Sequence, residues 1–179
     1  MLANLRHRLD SWRIVALFGA LFVVSQATLA VIVQPLGADI LWVQTTLSAA
    51  HVQAIFARWD AAGLLPRYAS HYRVDMIHPL WYSALLAASL AKGFAAHAVP
   101  ARWNSLLLLP FVSGTCDIAE NLVHLTFLAD RANITPGAVL LGNGAALVKW
   151  ALAASSIVAV AILAITAPKP GAAKGGGRR

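Results

Sequence analysis

Asp117, Glu120, Asn121 and His124 recur at i, i+3, i+4 and i+7 inside the apolar run 106–128. On a helix that spacing puts all four side chains on one face. Asp75, His78 and Tyr82, at i, i+3 and i+7, mark a second polar face at the start of another apolar run. Ionisable groups in such surroundings are costly and face a protein interior or a wet cavity. Carboxylates held in unlike surroundings differ in proton affinity and can divide the roles of acid and base. The catalytic candidates are therefore Asp117, Glu120 and His78, and the ligand-binding candidates Asp75, Tyr82, Asn121, Asn143 and Lys149. Asp117, Glu120 and His124 with Asp75 and His78 are also suitable metal ligands. However, no H-x-x-x-H or E-x-x-H pair occurs, and Lys149 competes for the carboxylates, so neither a metal nor another cofactor is expected. Ser113 and Thr115 lack the surroundings of an activated nucleophile.

Something must hold these groups away from water. Hydrophobic residues make up 59% of the 179 positions and charged residues 12%, against roughly 25% charged in soluble domains. A soluble chain this short could not cover so much apolar surface, so the composition points to the membrane. The formal charge of +7 is scattered over segment ends rather than gathered on one face, which argues against nucleic acid. The single cysteine, Cys116, excludes an intrachain disulfide and a Cys-based zinc site.

Four apolar windows, about 14–36, 76–94, 104–128 and 138–167, supply the ~20 residues that a spanning helix needs. The expectation is an all-α, four-span bundle forming one membrane domain over 1–167, followed by a disordered basic tail at 168–179. Arg6, Arg8 and Arg13 before the first window could open a signal peptide. The apolar run continues through Val31, Ile32 and Val33, which favours an uncleaved helix. Nine Lys or Arg residues fall at the N-terminus, in the second loop and in the tail, against four in the first and third loops. That asymmetry places both termini in the cytoplasm, across a plasma membrane of bacterial inner-membrane type.

The loop 37–73 then lies outside. Ser48 is a candidate N-cap and Gly63 a stop, with Val52, Ile55, Phe56 and Trp59 on one apolar face. This predicts an amphipathic helix lying on the membrane or capping the bundle. With a 1.5 Å rise per residue, Asp117 falls about 12 Å below the outer surface, Glu120 about 7 Å, Asn143 about 8 Å and Lys149 about 17 Å. Lys149 is thus expected to pair with Asp117, and Pro79 and Pro110 to kink their helices. Every span contributes polar groups to the outer half, Ser25 and Gln26 among them.

The stretches Arg73-Val-Asp75-Met-Ile-His78-Pro79-Leu-Trp-Tyr82, Asp117-Ile-Ala-Glu120-Asn121 and Lys149-Trp150 resemble a group of uncharacterised small four-span bacterial integral membrane proteins. The resemblance covers residues 40–165 and implies architecture and site position rather than a reaction; His78 departs from the aromatic commoner there. Four spans with carboxylates and a histidine in an outward pocket are also similar, at the level of fold, to the emopamil-binding family of sterol isomerases and sterol-binding receptors. Three readings follow. The first is a protein that binds a membrane lipid or lipophilic small molecule and could act on it by acid–base chemistry. The others are a proton- or ion-coupled transporter and a structural subunit; association with further copies of the chain is open.

Overall fold

The structure, a computed structural model, describes residues 1–167; the tail expected at 168–179 lies outside the described residues. The described residues are helical, with no strand among them. The elements are α1 (Leu2–Leu9), α2 (Trp12–Val33), α3 (Asp39–Thr45), α4 (Ala49–Ala61), α5 (Leu65–Asp75), α6 (His78–Ala96), α7 (Leu109–Ala129) and α8 (Pro136–Ile165).

Three segments, Trp12–Leu36, Ala101–Ala129 and Pro136–Ile165, are long and apolar enough to cross a membrane. Their mean hydropathies are 2.2, 1.4 and 2.1; the middle value is lower because α7 carries the polar stripe. The window expected at 76–94 becomes α6, which spends its length on buried small and polar residues such as His78, Ser83, Ala84, Ala87 and Ala88. α6 is the central element and packs against α2, α7 and α8. Gly114 lets α7 approach it closely, since a Cβ there would stand 2.4 Å from Ser83 Oγ and 3.2 Å from the Pro79 carbonyl oxygen. The Ser83 hydroxyl donates across the same interface to the Pro110 carbonyl at 2.7 Å.

Neither proline kinks a helix. Pro79 lies in the first turn of α6 and Pro110 in the first turn of α7, where a missing N–H costs nothing. The chain before Pro79 therefore breaks at Met76-Ile77, and Asp75 ends α5 while His78 begins α6. The i, i+3 helical face expected for that pair does not exist, although both residues still line one cavity. The 3-10 stretch Ala101–Leu108 likewise replaces the first turns expected of the third span.

The loop 37–73 holds three helices rather than one. α4 forms where expected: Ser48 Oγ accepts from the His51 N–H at 3.3 Å, and Gly63 ends the helix at φ +67°, a conformation that glycine adopts without strain. Val52, Ile55, Phe56 and Trp59 are fully or almost fully buried, packing with Tyr68, Tyr72, Phe127, Ile134 and Val139. At ~1.5–3 kcal/mol per large apolar side chain, this face holds α4 down as a cap on the bundle rather than on the membrane surface. At the opposite end α1 docks through Arg6, whose guanidinium donates to the Val99 carbonyl at 2.7 Å and to Asn104 Oδ1 at 3.2 Å.

Candidate functional site

Helix α2 packs on α5 and α6, and α8 packs on α7 and α6. Between α2 and α8 a cleft of about 510 Å³ remains, floored by α6 and roofed by Ile40, Leu41 and Gln44 of α3. Most of its wall is apolar: Phe22, Leu29 and Val33 on one side, Ala153 and Ile157 on the other, with Leu85 and Leu86 below. Its polar groups are His71 and Asp75 of α5, His78 and Tyr82 of α6, Asp117 of α7 and Lys149 of α8, with Gln26 and Gln44.

Lys149 is the hub. Its Nζ donates to Asp117 Oδ1 at 3.0 Å and to Glu120 Oε2 at 2.5 Å, so one ammonium bridges two carboxylates a helical turn apart. The helix face carrying them is fixed by Ser113 one turn earlier, whose hydroxyl donates to the Lys149 carbonyl at 2.9 Å. Lys149 lies 5.2 Å from the centre of the Trp150 ring, close enough for a cation–π contribution. The expected Asp117–Lys149 contact is present. Glu120 joins the same ammonium. It lies behind the cleft wall, wholly buried, and its Oε1 has no hydrogen-bond partner.

The sequence-derived set thus separates into two groups. Asp75, His78, Tyr82, Asp117 and Lys149 line the cleft, whereas Glu120, Asn121 and Asn143 do not. Asn121 donates to the Asp75 backbone carbonyl at 3.2 Å and holds the end of α5 against α7. Asn143 belongs to a second network. Its Nδ2 donates to the Val43 and Thr46 carbonyls at 2.8 and 2.6 Å, and its Oδ1 lies 2.8 Å from His124 Nε2. His124 Nδ1 lies 2.9 Å from Tyr68 Oη, which accepts from Tyr72 Oη at 2.7 Å. His124 is 1% exposed, because α4 and α5 cover the end of the bundle.

His71 is the cleft residue that the sequence reading omits. It is 3% exposed, its Nδ1 contacts the Tyr68 carbonyl, and its Nε2 stands 3.8 Å from Asp75 Oδ2. A signal for it exists: Tyr68, His71, Tyr72 and Asp75 share the i, i+3, i+4, i+7 spacing of the α7 stripe. The aromatics conceal it, since Tyr and His contribute little to an apolar period. Burial pushes the His71 imidazole down to about 4. Burial first and then the nearby Asp117 lift the Asp75 carboxyl to about 6, against the opposing pull of Lys149 and Asn121. α5 thus presents a neutral base beside a carboxyl that gives up its proton reluctantly.

His78 is anchored from the other side. Its Nδ1 lies 2.8 Å from Ser25 Oγ, and its ring stacks on Phe22 at 5.4 Å between centroids. Among the described residues no three His, Cys, Asp or Glu side chains are grouped as a metal site. The chain matches no protein-family model, no curated protein and no solved structure, so the resemblance to small four-span proteins rests on the quoted residues and that to the emopamil-binding family on the fold alone.

Proposed function

We propose that this is an integral membrane protein that takes a lipid or lipophilic small molecule from the bilayer into the α2–α8 cleft and holds its polar group at Asp75, Asp117 and Lys149. The carrying observation is the form of the cleft. Apolar walls end in one cluster of charged and hydrogen-bonding groups, the usual make-up of a small-molecule site. α2 and α8 also present many exposed apolar side chains, Val24, Val31, Leu141 and Ile157 among them, which supports lipid on both sides of the opening. Acid–base chemistry on the ligand is consistent with Asp75, His71 and His78 lining one cavity.

We further infer that α6 is the fourth span and that both termini are cytoplasmic. At 19 residues it extends about 28 Å, close to the hydrocarbon thickness. A single cysteine at Ala61, in a Cys116→Ala background, is expected to react with an impermeant maleimide only from outside, and one at Ala96 only from inside. The reverse pattern overturns the orientation.

A conduit is less well supported. Inward of the cleft, Leu90, Ala91, Phe94 and Leu107 form an apolar cluster. An assembly surface on α4 is also poorly supported, because Phe56 and Trp59 are already buried; the exposed apolar side chains nearby, Leu41, Trp42 and Leu47, lie on α3 and just after it. The binding reading is tested with a long-chain amphiphile carrying a diazirine, photolysed with the protein in lipid nanodiscs. Label is expected on Leu85, Leu86 and Ala153, and Ala153→Trp should remove most of it while Ala154→Trp, on the exposed face, should not. Uniform labelling of lipid-facing residues, unchanged in Ala153→Trp, overturns the reading.

A further inference from the structure

Among the described residues three carboxylates meet at the head of the cleft or just behind its wall, but only one ammonium does. Asp117 and Glu120 both bind Lys149 Nζ, so that triad already carries a surplus negative charge. Asp75 receives no bond from Lys149. Its side chain is 13% exposed, on the cleft wall, and the residue facing it is His71. A carbonyl can only accept, so His71 Nδ1 carries the ring proton toward the Tyr68 oxygen and Nε2 is left as a lone pair. That Nε2 faces Asp75 at 3.8 Å, beyond direct hydrogen-bond reach. Glu120 Oε1 is buried with no donor, so the cluster is short of hydrogen-bond donors rather than of acceptors. Among the described residues Lys149 is the only Lys or Arg on the cleft wall.

We propose that Asp75 is the exchangeable proton carrier of the cleft, with His71 as its partner, while Asp117 and Glu120 serve as the two carboxylates bonded to Lys149. This rests on the reading of the cleft as a ligand site, and it moves the acid role from Asp117 and Glu120 to a residue on the connecting helix. Two ionised carboxylates can share one ammonium at hydrogen-bonding distance; a third in the same low-dielectric space is relieved by taking up a proton. Asp75 is the member that the cleft can reach. The groups facing it are His71 on α5, His78 and Tyr82 on α6, Asp117, Glu120 and Asn121 on α7 and Lys149 on α8; Lys149 is the one cation among them, and its hydrogen bonds go to Asp117 and Glu120. The carboxyl shifted up to about 6 agrees with this. When a ligand presents a proton-accepting atom, the Asp75 O–H bond breaks and a new bond to hydrogen forms on the ligand. The carboxylate left behind then faces the charge that it has created. Tyr68 acts as a positioning residue, since its carbonyl fixes which nitrogen of His71 is free.

Infrared difference spectroscopy of the full chain in nanodiscs tests this without any ligand. A protonated-carboxyl C=O stretch is expected at pH 5, fading as the pH rises to 8. It should be absent in Asp75→Asn and retained in Glu120→Gln and Asp117→Asn. His71→Leu should shift its midpoint without abolishing it. A band that survives in Asp75→Asn, or is lost only in Glu120→Gln, overturns the assignment. If Asp117→Asn or Glu120→Gln does not fold, the wild type against Asp75→Asn still decides. The photolabelling above separates the two claims: cleft labelling without a band at Asp75 leaves the binding reading standing and sinks this one.

Discussion

Two buried polar networks lie within one bundle, and they are built differently. Along Tyr72, Tyr68, His124 and Asn143 every proton has a place. Asn143 Oδ1 can only accept, so His124 Nε2 donates, Nδ1 accepts from Tyr68, and Tyr68 accepts from Tyr72. The chain ends on the Val43 and Thr46 carbonyls, fastening the α3–α4 cap to α7 and α8. It is uncharged, saturated and closed. The node at Lys149 is charged and unsaturated: it holds one ammonium against three carboxylates, has an orphan oxygen on Glu120, and opens onto a cleft. A saturated network specifies a fold, whereas a surplus of acceptors beside a cavity calls for something from outside the chain.

The largest effect that should separate them is removal of Lys149. Lys149→Met leaves Asp117 and Glu120 buried without a cation and should cost about 3–5 kcal/mol, read as a lower thermal midpoint in detergent. Combining it with Asp117→Asn and Glu120→Gln should recover most of that loss. A node that tolerates Lys149→Met is wetter than the structure shows. Next is the neutral chain: His124→Leu orphans Asn143 Oδ1 and Tyr68 Oη and should cost about 1–3 kcal/mol. It should also loosen the cap, seen as faster hydrogen exchange across α3 and α4, with cleft photolabelling retained.

Much of this was legible in the sequence, and the reasons are specific. The i, i+3, i+4, i+7 stripe of α7 is long, regular and set in apolar surroundings, so periodicity alone located it. The Asp117–Lys149 contact was reachable because depth along two antiparallel helices put the two within about 5 Å of one level. The same estimate put Glu120 about 10 Å from Lys149 and missed that the long lysine side chain also reaches it. α5 was not legible, because its buried face is Tyr, His and Asp, and an apolar pattern cannot register it. The break at Met76-Ile77 was not legible either. Proline in a helical pattern can kink a helix or start one, and the packing of Gly114 against Pro79 decides between them. The window 76–94 was read as apolar by residue type; in the structure much of α6 faces protein.

The smallest effect is a pH dependence. The Asp75 carboxyl is raised above its unfolded value, so the stability tied to its proton is fully present below about pH 3.8 and lost as the pH rises through about 6. Asp75→Asn should therefore melt higher than the wild type at pH 7.5, and the advantage should vanish near pH 4. An advantage that is constant with pH would mean that Asp75 does not titrate in this range.

The most direct test of the central claim is an electron cryomicroscopy map of the protein in lipid nanodiscs, at a resolution that shows side chains. The account predicts an elongated, non-protein density between α2 and α8, lying along Leu85, Leu86 and Ile157 with one end among Asp75, Asp117 and Lys149. A cleft closed by direct packing of α2 on α8, with the node sealed inside as a knot of ion pairs, would contradict it.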